Sequence, residues 1–254
     1  MAELNHSREG LNPSFPYSLS HVRASTSTTS LRSSIKSYVI RASRITDAQR
    51  RSYDLLATQY SIPFSEGQCA PATFFDNENP VTVEIGFGMG AATALIAQAN
   101  PDKNYLGIEV HRPGIGKLFW EIENRKLANV KIIEHDAVEV IQKMTQPNSL
   151  AAVHIFFPDP WPKKRHHKRR LVTRPFTDIL ASVIKPGGYL YMVTDWEDYA
   201  HWALAELSST PGLSNSCDGF SPHQEWRPRT KFEQKGLDKN HKVWELFFYR
   251  NNEQ

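Results

Sequence analysis

VTVEIGFGMGAATALIAQA, Val81 to Ala99, decides the fold. Val81–Ile85 reads as a strand, Gly86–Gly90 as a glycine turn, and Ala91–Ala99 as a helix that Asn100-Pro101 brings to an end. The same rhythm runs on from there. Tyr105–Val110, Val130–Ile133, Ala151–Phe157 and Tyr189–Thr194 are further strands. Lys117–Arg125, Ala137–Met144, Phe176–Ile184 and Tyr199–Leu207 are the helices between and after them, Lys185-Pro186-Gly187-Gly188 stopping the third. Strands spaced by helices in this way predict an α/β, doubly wound, mostly parallel sheet. The last apolar stretch, Val243–Tyr249, is expected to add an antiparallel edge strand.

Glycines after a first strand let the backbone turn tightly and approach a nucleotide. Gly86, Gly88 and Ala91 also satisfy the dinucleotide pattern, so the glycines alone leave NAD and other adenosine cofactors open. The acids discriminate. Glu84, Glu109 and Asp136 fall at the C-terminal ends of successive strands and should share one rim of the sheet. Glu109 suits ribose hydroxyls. Glu84, tight against the glycine turn, would repel a pyrophosphate but favour a cationic sulfonium and amino group. S-adenosylmethionine, which carries no phosphate, fits that rim. Each acid alone reads equally well as a helix N-cap.

The fourth strand runs into a different kind of segment, AAVHIFFPDPWPKKRHHKRR, Ala151 to Arg170. Three prolines stiffen a turn around Asp159 and Trp161, which suits a carboxylate that must be held still. Lys163, Lys164, Arg165, Lys168, Arg169 and Arg170 follow, with His166 and His167 among them and no acid before Asp178. A fixed carboxylate beside a dense cationic arm points to chemistry on a polyanion, since six fixed cations can engage several phosphates. A charge run of this kind is also what an ordinary solvated face looks like.

The EIGFGMG turn, FPDPWPKKRHHKRR and a later TKFE at Thr230–Glu233 together resemble the bacterial tRNA (guanine-N7)-methyltransferases, over about Ile35 to Arg250. The resemblance implies a Rossmann-like class I S-adenosylmethionine-dependent methyltransferase that makes 7-methylguanosine at a tRNA guanine, the variable-loop position 46. It implies that Glu84, Gly86, Gly88, Glu109, Asp136 and Asp159 bind the cofactor and that Asp159 sits at the methyl-transfer centre. Lys163, Asp195, Thr230, Lys231, Phe232 and Glu233 would hold the tRNA, and Arg165, His166, His167, Lys168, Arg169 and Arg170 would meet its backbone. The chemistry agrees: guanine offers N1–H and an exocyclic amine on one edge, which a carboxylate such as Asp159 or Asp195 accepts at two points. Trp161 and Phe232 offer faces for a splayed base, although Trp161 reads equally well as packing under its loop.

Length and composition set the bounds. The 254 residues suffice for one α/β domain with an appendage, and a net charge of +3 makes the basic arm a local feature. Residues 1–34, rich in Ser and Thr, are expected to be a disordered leader, with an organellar transit peptide as the alternative. Residues 35–79 read as a basic arm carrying Arg41, Arg44, Arg50 and Arg51, with a helix capped by Thr46 or Asp47 that turns Tyr53, Leu55, Leu56 and Tyr60 inward. Residues 62–79 read as a loop, and residues 80–254 as the methyltransferase domain. Cys69 and Cys217 have neither disulfide nor metal spacing, and no membrane span or signal core is visible, so a cytoplasmic protein with no metal and no membrane partner is expected. A monomer is the expectation, with a homodimer left open. An NAD-dependent oxidoreductase and an RNA-binding module with a spent cofactor site are the rival readings.

Overall fold

The computed structural model describes residues 36–39, 44–238 and 241–252, without the side chains of Lys231 and Phe232. The leader and Arg41 therefore lie outside the described residues. Among them are seven strands in one sheet, ordered β3-β2-β1-β4-β5-β7-β6. Its strands are β1 Val81–Ile85, β2 Asn104–Glu109, β3 Val130–Glu134, β4 Leu150–Phe156, β5 Ile184–Thr194, β6 Leu213–Asn215 and β7 Trp244–Arg250. The first five pair in parallel, whereas β7 runs antiparallel to both β5 and β6. The C-terminal strand is antiparallel as expected, but it lies one place in from the edge. Three-residue β6 covers it, leaving a very short outer strand with few unpaired backbone groups.

Side-chain alternation divides the core between the two faces. Val83, Ile85, Leu106, Ile108, Val153, Ile155, Leu190, Met192, Leu246 and Phe248 pack on one face with α5 (Phe176–Val183) and α6 (Glu197–Ser208). On the other face, α2 (Ala91–Ala99) and α3 (Arg112–Arg125) cover Tyr105, Val130 and Ile132. Farther along that face a loop carrying Trp226 packs on Phe156, Tyr191 and Phe247. Every residue of β1 is buried, as a central strand covered on both faces requires.

α1 (Asp47–Tyr60) begins with a capping box in which Thr46 and Gln49 satisfy each other's backbone N–H groups. Tyr53, Leu56 and Tyr60 pack against the core beneath it, three and four residues apart on one face. Leu55 is 58% exposed, against expectation, because two residues beyond Tyr53 is more than half a turn round the helix. Residues 62–79 are a loop apart from one tight helical turn at Pro71–Phe74. Other boundaries shift as well, α3 beginning at Arg112 ahead of the expected Lys117. The Ala137–Met144 helix is α4 (Ala137–Glu139) widened into a π turn over Val140–Met144. The helix before Lys185-Pro186-Gly187-Gly188 stops at Val183, and β5 starts at once, bulging so that Leu150 opposes Ile184 while Ala152 opposes Tyr189. The remaining helix, α7, spans Lys231–Leu237.

Candidate active site

β1 and β2 end side by side, with Ile85 opposite Ile108, and the glycine turn leaves the sheet at that point. Gly86 and Gly88 hold φ of +73° and +56°, a left-handed backbone that L side chains resist. A β-carbon at either glycine would meet nothing within 4 Å, so the turn presents bare backbone to open space. That space is a cavity of about 480 Å³ lined by Gly86, Gly88, Glu109, His135, Phe157 and Asp159 among others. The far side of the turn is packed hard. A β-carbon at Gly114 of α3 would fall 2.0 Å from the Gly88 carbonyl oxygen. Open on one side and braced on the other, the turn suits a ligand lying along the backbone.

The three rim acids occupy distinct positions. Glu109 reaches the cavity wall, where Oε2 accepts from Gly88 N–H at 2.9 Å and Oε1 from Val110 and His111 N–H at 2.7 and 3.0 Å. Glu84 is buried beneath the wall formed by its neighbours Ile85 and Gly86. Burial pushes its carboxyl up to about 7, the Thr93 hydroxyl pulls against this and the Glu109 charge adds to it. Asp136 caps α4 by accepting from Val138 N–H at 2.9 Å, while its other oxygen takes the Lys36 ammonium at 2.7 Å. Its neighbours His135 and Ala137 line the cavity. Asp136 is thus an N-cap, and the carboxylate acceptors at this rim fit a ligand that is cationic at one end and carries hydroxyls.

β4 delivers the proline-framed turn to the same cavity. Phe157, Pro158 and Asp159 all line it, and Asp159 is exposed to solvent. Phe157 and Trp161 adopt positive φ of 51° and 46°, so the turn winds tightly between its prolines. Trp161 is engaged: its Nε1 donates to the Ser37 carbonyl at 2.9 Å and the Arg169 guanidinium lies over its ring at 3.8 Å. Arg169 also donates to the Lys36 and Tyr38 carbonyls at 3.0 and 2.9 Å. Residues 36–39 are thereby strapped along the cavity, which Ser37, Tyr38 and Val39 help to line.

The basic run is not uniform, and two of its members depart from the expected backbone role. Arg170 is 2% exposed, with Nη2 bonded to Asp198, Nε to the Pro160 carbonyl at 3.0 Å, and its guanidinium over Tyr199 and Trp202. A guanidinium enclosed in this way cannot meet a phosphate, so Arg170 is a brace of the loop. Arg169 is committed to the strap. Lys163, Lys164, Arg165 and Lys168 remain exposed, and His166 and His167 are half-buried. Among the described residues no cluster of His, Cys, Asp and Glu is arranged to hold a metal ion.

Asp195, just past β5, lines a second and smaller pocket of about 200 Å³ with Glu233, Lys235, Gly236, His241 and Val243. Phe157 forms part of the wall of both cavities. Thr230 N-caps α7 by accepting from Glu233 N–H at 3.2 Å. Glu233 is buried and held by Arg227 through two bonds of 2.7 Å. Sequence reading missed Arg227, since one arginine three residues before Thr230 carries no spacing signal. The roles expected of Lys231 and Phe232 fall on side chains outside the described residues.

A family model described as "Putative methyltransferase" matches residues 78–246. The chain is 51% identical over 214 residues to a tRNA (guanine-N(7)-)-methyltransferase of Nitrosospira multiformis, covering 84% of this chain and 93% of that one. It is 50% identical over 214 residues to the protein of the same name from Paraburkholderia xenovorans, covering 84% and 82%. The crystal structure of the 16S rRNA methyltransferase KamB superposes with a TM-score of 0.51 at 13% identity, over 84% of this chain and 97% of that one. At that identity the likeness speaks to the fold alone.

Proposed function

The chain belongs to the tRNA (guanine-N7)-methyltransferase family and uses S-adenosylmethionine. From that premise we propose that its target is the variable-loop guanine, position 46, and that the two cavities meeting at Phe157 receive the cofactor and that guanine. The shared Phe157 wall carries this reading, because methyl transfer needs donor and acceptor in adjoining sites. S-adenosylmethionine supplies an electrophilic methyl group on a sulfonium. Gly86 and Gly88 would admit its nucleoside along bare backbone, Glu109 would take the ribose hydroxyls, and Glu84 and Asp136 would balance charge at the rim.

Guanine N7 has an in-plane lone pair and no proton, so no residue need act as a base. Asp195 accepts from N1–H and the exocyclic amine at two points, turning N7 toward the larger cavity. Glu233 of α7 also lines that pocket. As the N7–carbon bond forms and the carbon–sulfur bond breaks, positive charge passes onto the purine. Asp159, fixed between Pro158 and Pro160, favours that migration electrostatically without taking a proton. The exposed cations Lys163, Lys164, Arg165 and Lys168, with His166 and His167, are assigned to the RNA backbone, which their exposure allows.

The test incubates unmodified tRNA with the protein and isotopically labelled cofactor, then maps the labelled nucleoside by mass spectrometry of nuclease fragments. 7-Methylguanosine confined to the variable loop is the expected result. Label at a guanine elsewhere would refute the position, and slow transfer by Asp195→Ala without loss of cofactor affinity would support the pocket.

A further inference from the structure

The segment leading into α7 contains a buried cation that the reaction just described does not use. The Arg227 guanidinium is a fork on Glu233, Nη1 donating to Oε2 and Nη2 to Oε1, both at 2.7 Å. Nη2 also donates to Glu245 Oε1 at 2.9 Å, and Nε to the Tyr191 hydroxyl at 3.1 Å. The Tyr191 hydroxyl in turn donates to Glu245, which lies on β7 and pairs with Val193 of β5. His223 Nδ1 completes the set, 2.8 Å from Glu245. One end of this network is therefore fixed in the sheet, and the other end is a seven-residue helix.

The spacing of Thr230 and Glu233 is that of a capping box, in which the glutamate would reach back to the N-cap N–H. Only half of the box forms. Thr230 caps Glu233 N–H, while the glutamate is turned away onto Arg227. Enclosing an arginine and two glutamates together is a poor way to gain stability, since apolar residues of equal volume hold a fold as well or better. A two-point fork does fix direction, which a hydrophobic contact cannot.

We propose that Arg227 is a positioning residue for methyl transfer: through Glu233 it aligns the first turn of α7 against the sheet and so sets the angle at which guanine N7 meets the methyl group. The proposal rests on the reading that the 200 Å³ pocket takes the guanine. Arg227 touches neither substrate nor cofactor in this role; it acts on the wall that does.

Arg227→Lys tests it, because lysine keeps the charge and loses the fork. Single-turnover methyl transfer, tRNA affinity, cofactor affinity and melting temperature are measured for it, for Glu233→Gln and for the double variant. The expected result is a rate constant about 100-fold lower for Arg227→Lys, the scale of a ~1 Å misplacement. Both affinities should move less than about threefold, and the double variant should be no slower than the slower single one. A lowered melting temperature with an unchanged rate for folded protein would make Arg227 structural and overturn the proposal. Should Arg227→Lys unfold at the assay temperature, Arg227→Lys/Glu245→Gln replaces it by removing the surplus carboxylate, and failure of both to fold would also overturn it. Slow transfer by Glu233→Gln beside normal transfer by Arg227→Lys would sink this proposal alone. Normal transfer by Glu233→Gln and by Thr230→Ala would overturn the guanine pocket with it.

Discussion

Replacing Glu84 with glutamine removes a charge at nearly constant shape, and two opposite effects should follow. Burial holds the Glu84 carboxyl up at about 7, against an ordinary value of 4.5. For an acid raised in this way, the stability it contributes is fully present below the unfolded value and is lost as pH climbs through about 7. At about 1.4 kcal/mol per tenfold change in proton affinity, the span from 4.5 to about 7 amounts to about 3 kcal/mol. Free wild-type protein at pH 8 thus carries a buried carboxylate that costs it roughly this amount, and Glu84→Gln does not. The variant should gain on the wild type between pH 5 and pH 8, by roughly 6–12 °C in melting temperature for a domain of this size. A cationic cofactor favours the ionised acid, so the variant should also lose most of the stabilisation that S-adenosylmethionine gives the wild type at pH 8. Thermal melts of both proteins across that pH range, with and without cofactor, read both effects. A difference between the two proteins that does not change with pH would refute the buried ionisation. Full cofactor-induced stabilisation of Glu84→Gln would refute the charge-balancing role.

Asp159→Asn should lower kcat/KM by roughly 10- to 150-fold, about 1.5–3 kcal/mol, with cofactor affinity little changed; an equal loss of cofactor affinity in calorimetry would move Asp159 from the transfer step to binding. Neutralising Lys163, Lys164, Arg165 and Lys168 together should flatten the salt dependence of tRNA binding by about 0.7–0.9 in log–log slope for each phosphate no longer neutralised. An unaltered slope would return those residues to an ordinary solvated surface. Arg170→Ala should do the reverse, leaving the salt slope intact and destabilising the loop by about 2–4 kcal/mol in urea melts, as expected when a buried, hydrogen-bonded arginine is removed. A reduced slope in that variant would show that its guanidinium reaches RNA after all.

How much of this was legible in the sequence depended on the range of the forces involved. Val81–Ile85 and Ala91–Ala99 match their expected spans because strand, glycine turn and proline stop are local signals. The β/α rhythm gives the parallel sheet for the same reason. The outermost place of β6 was not legible, since three residues bear no periodicity. The charge run shows the limit most clearly. In sequence Arg165, Arg169 and Arg170 are equivalent, yet one is exposed, one grips the backbone of residues 36–39 and one is enclosed by Tyr199, Trp202 and Asp198. Those partners lie far along the chain, beyond what spacing can report. The site acids sit between these extremes. Their place at strand ends was readable, but the burial of Glu84 and the Lys36 bond to Asp136 arise only from packing.

Phe157 holds a backbone conformation that costs a residue with a β-carbon on the order of 1–2 kcal/mol and would cost glycine almost nothing. The same residue lines both cavities. Backbone ease and cavity separation therefore pull this position toward different amino acids. Glycine would relax the chain but open a leak, through which water could reach an activated methyl group when no guanine is seated. A smaller aliphatic residue would keep the strain and lose the partition as well. No single substitution improves one demand without harming the other, so change at Phe157 is expected to require a simultaneous change in the surrounding wall, and the position should drift more slowly than its half-buried location suggests.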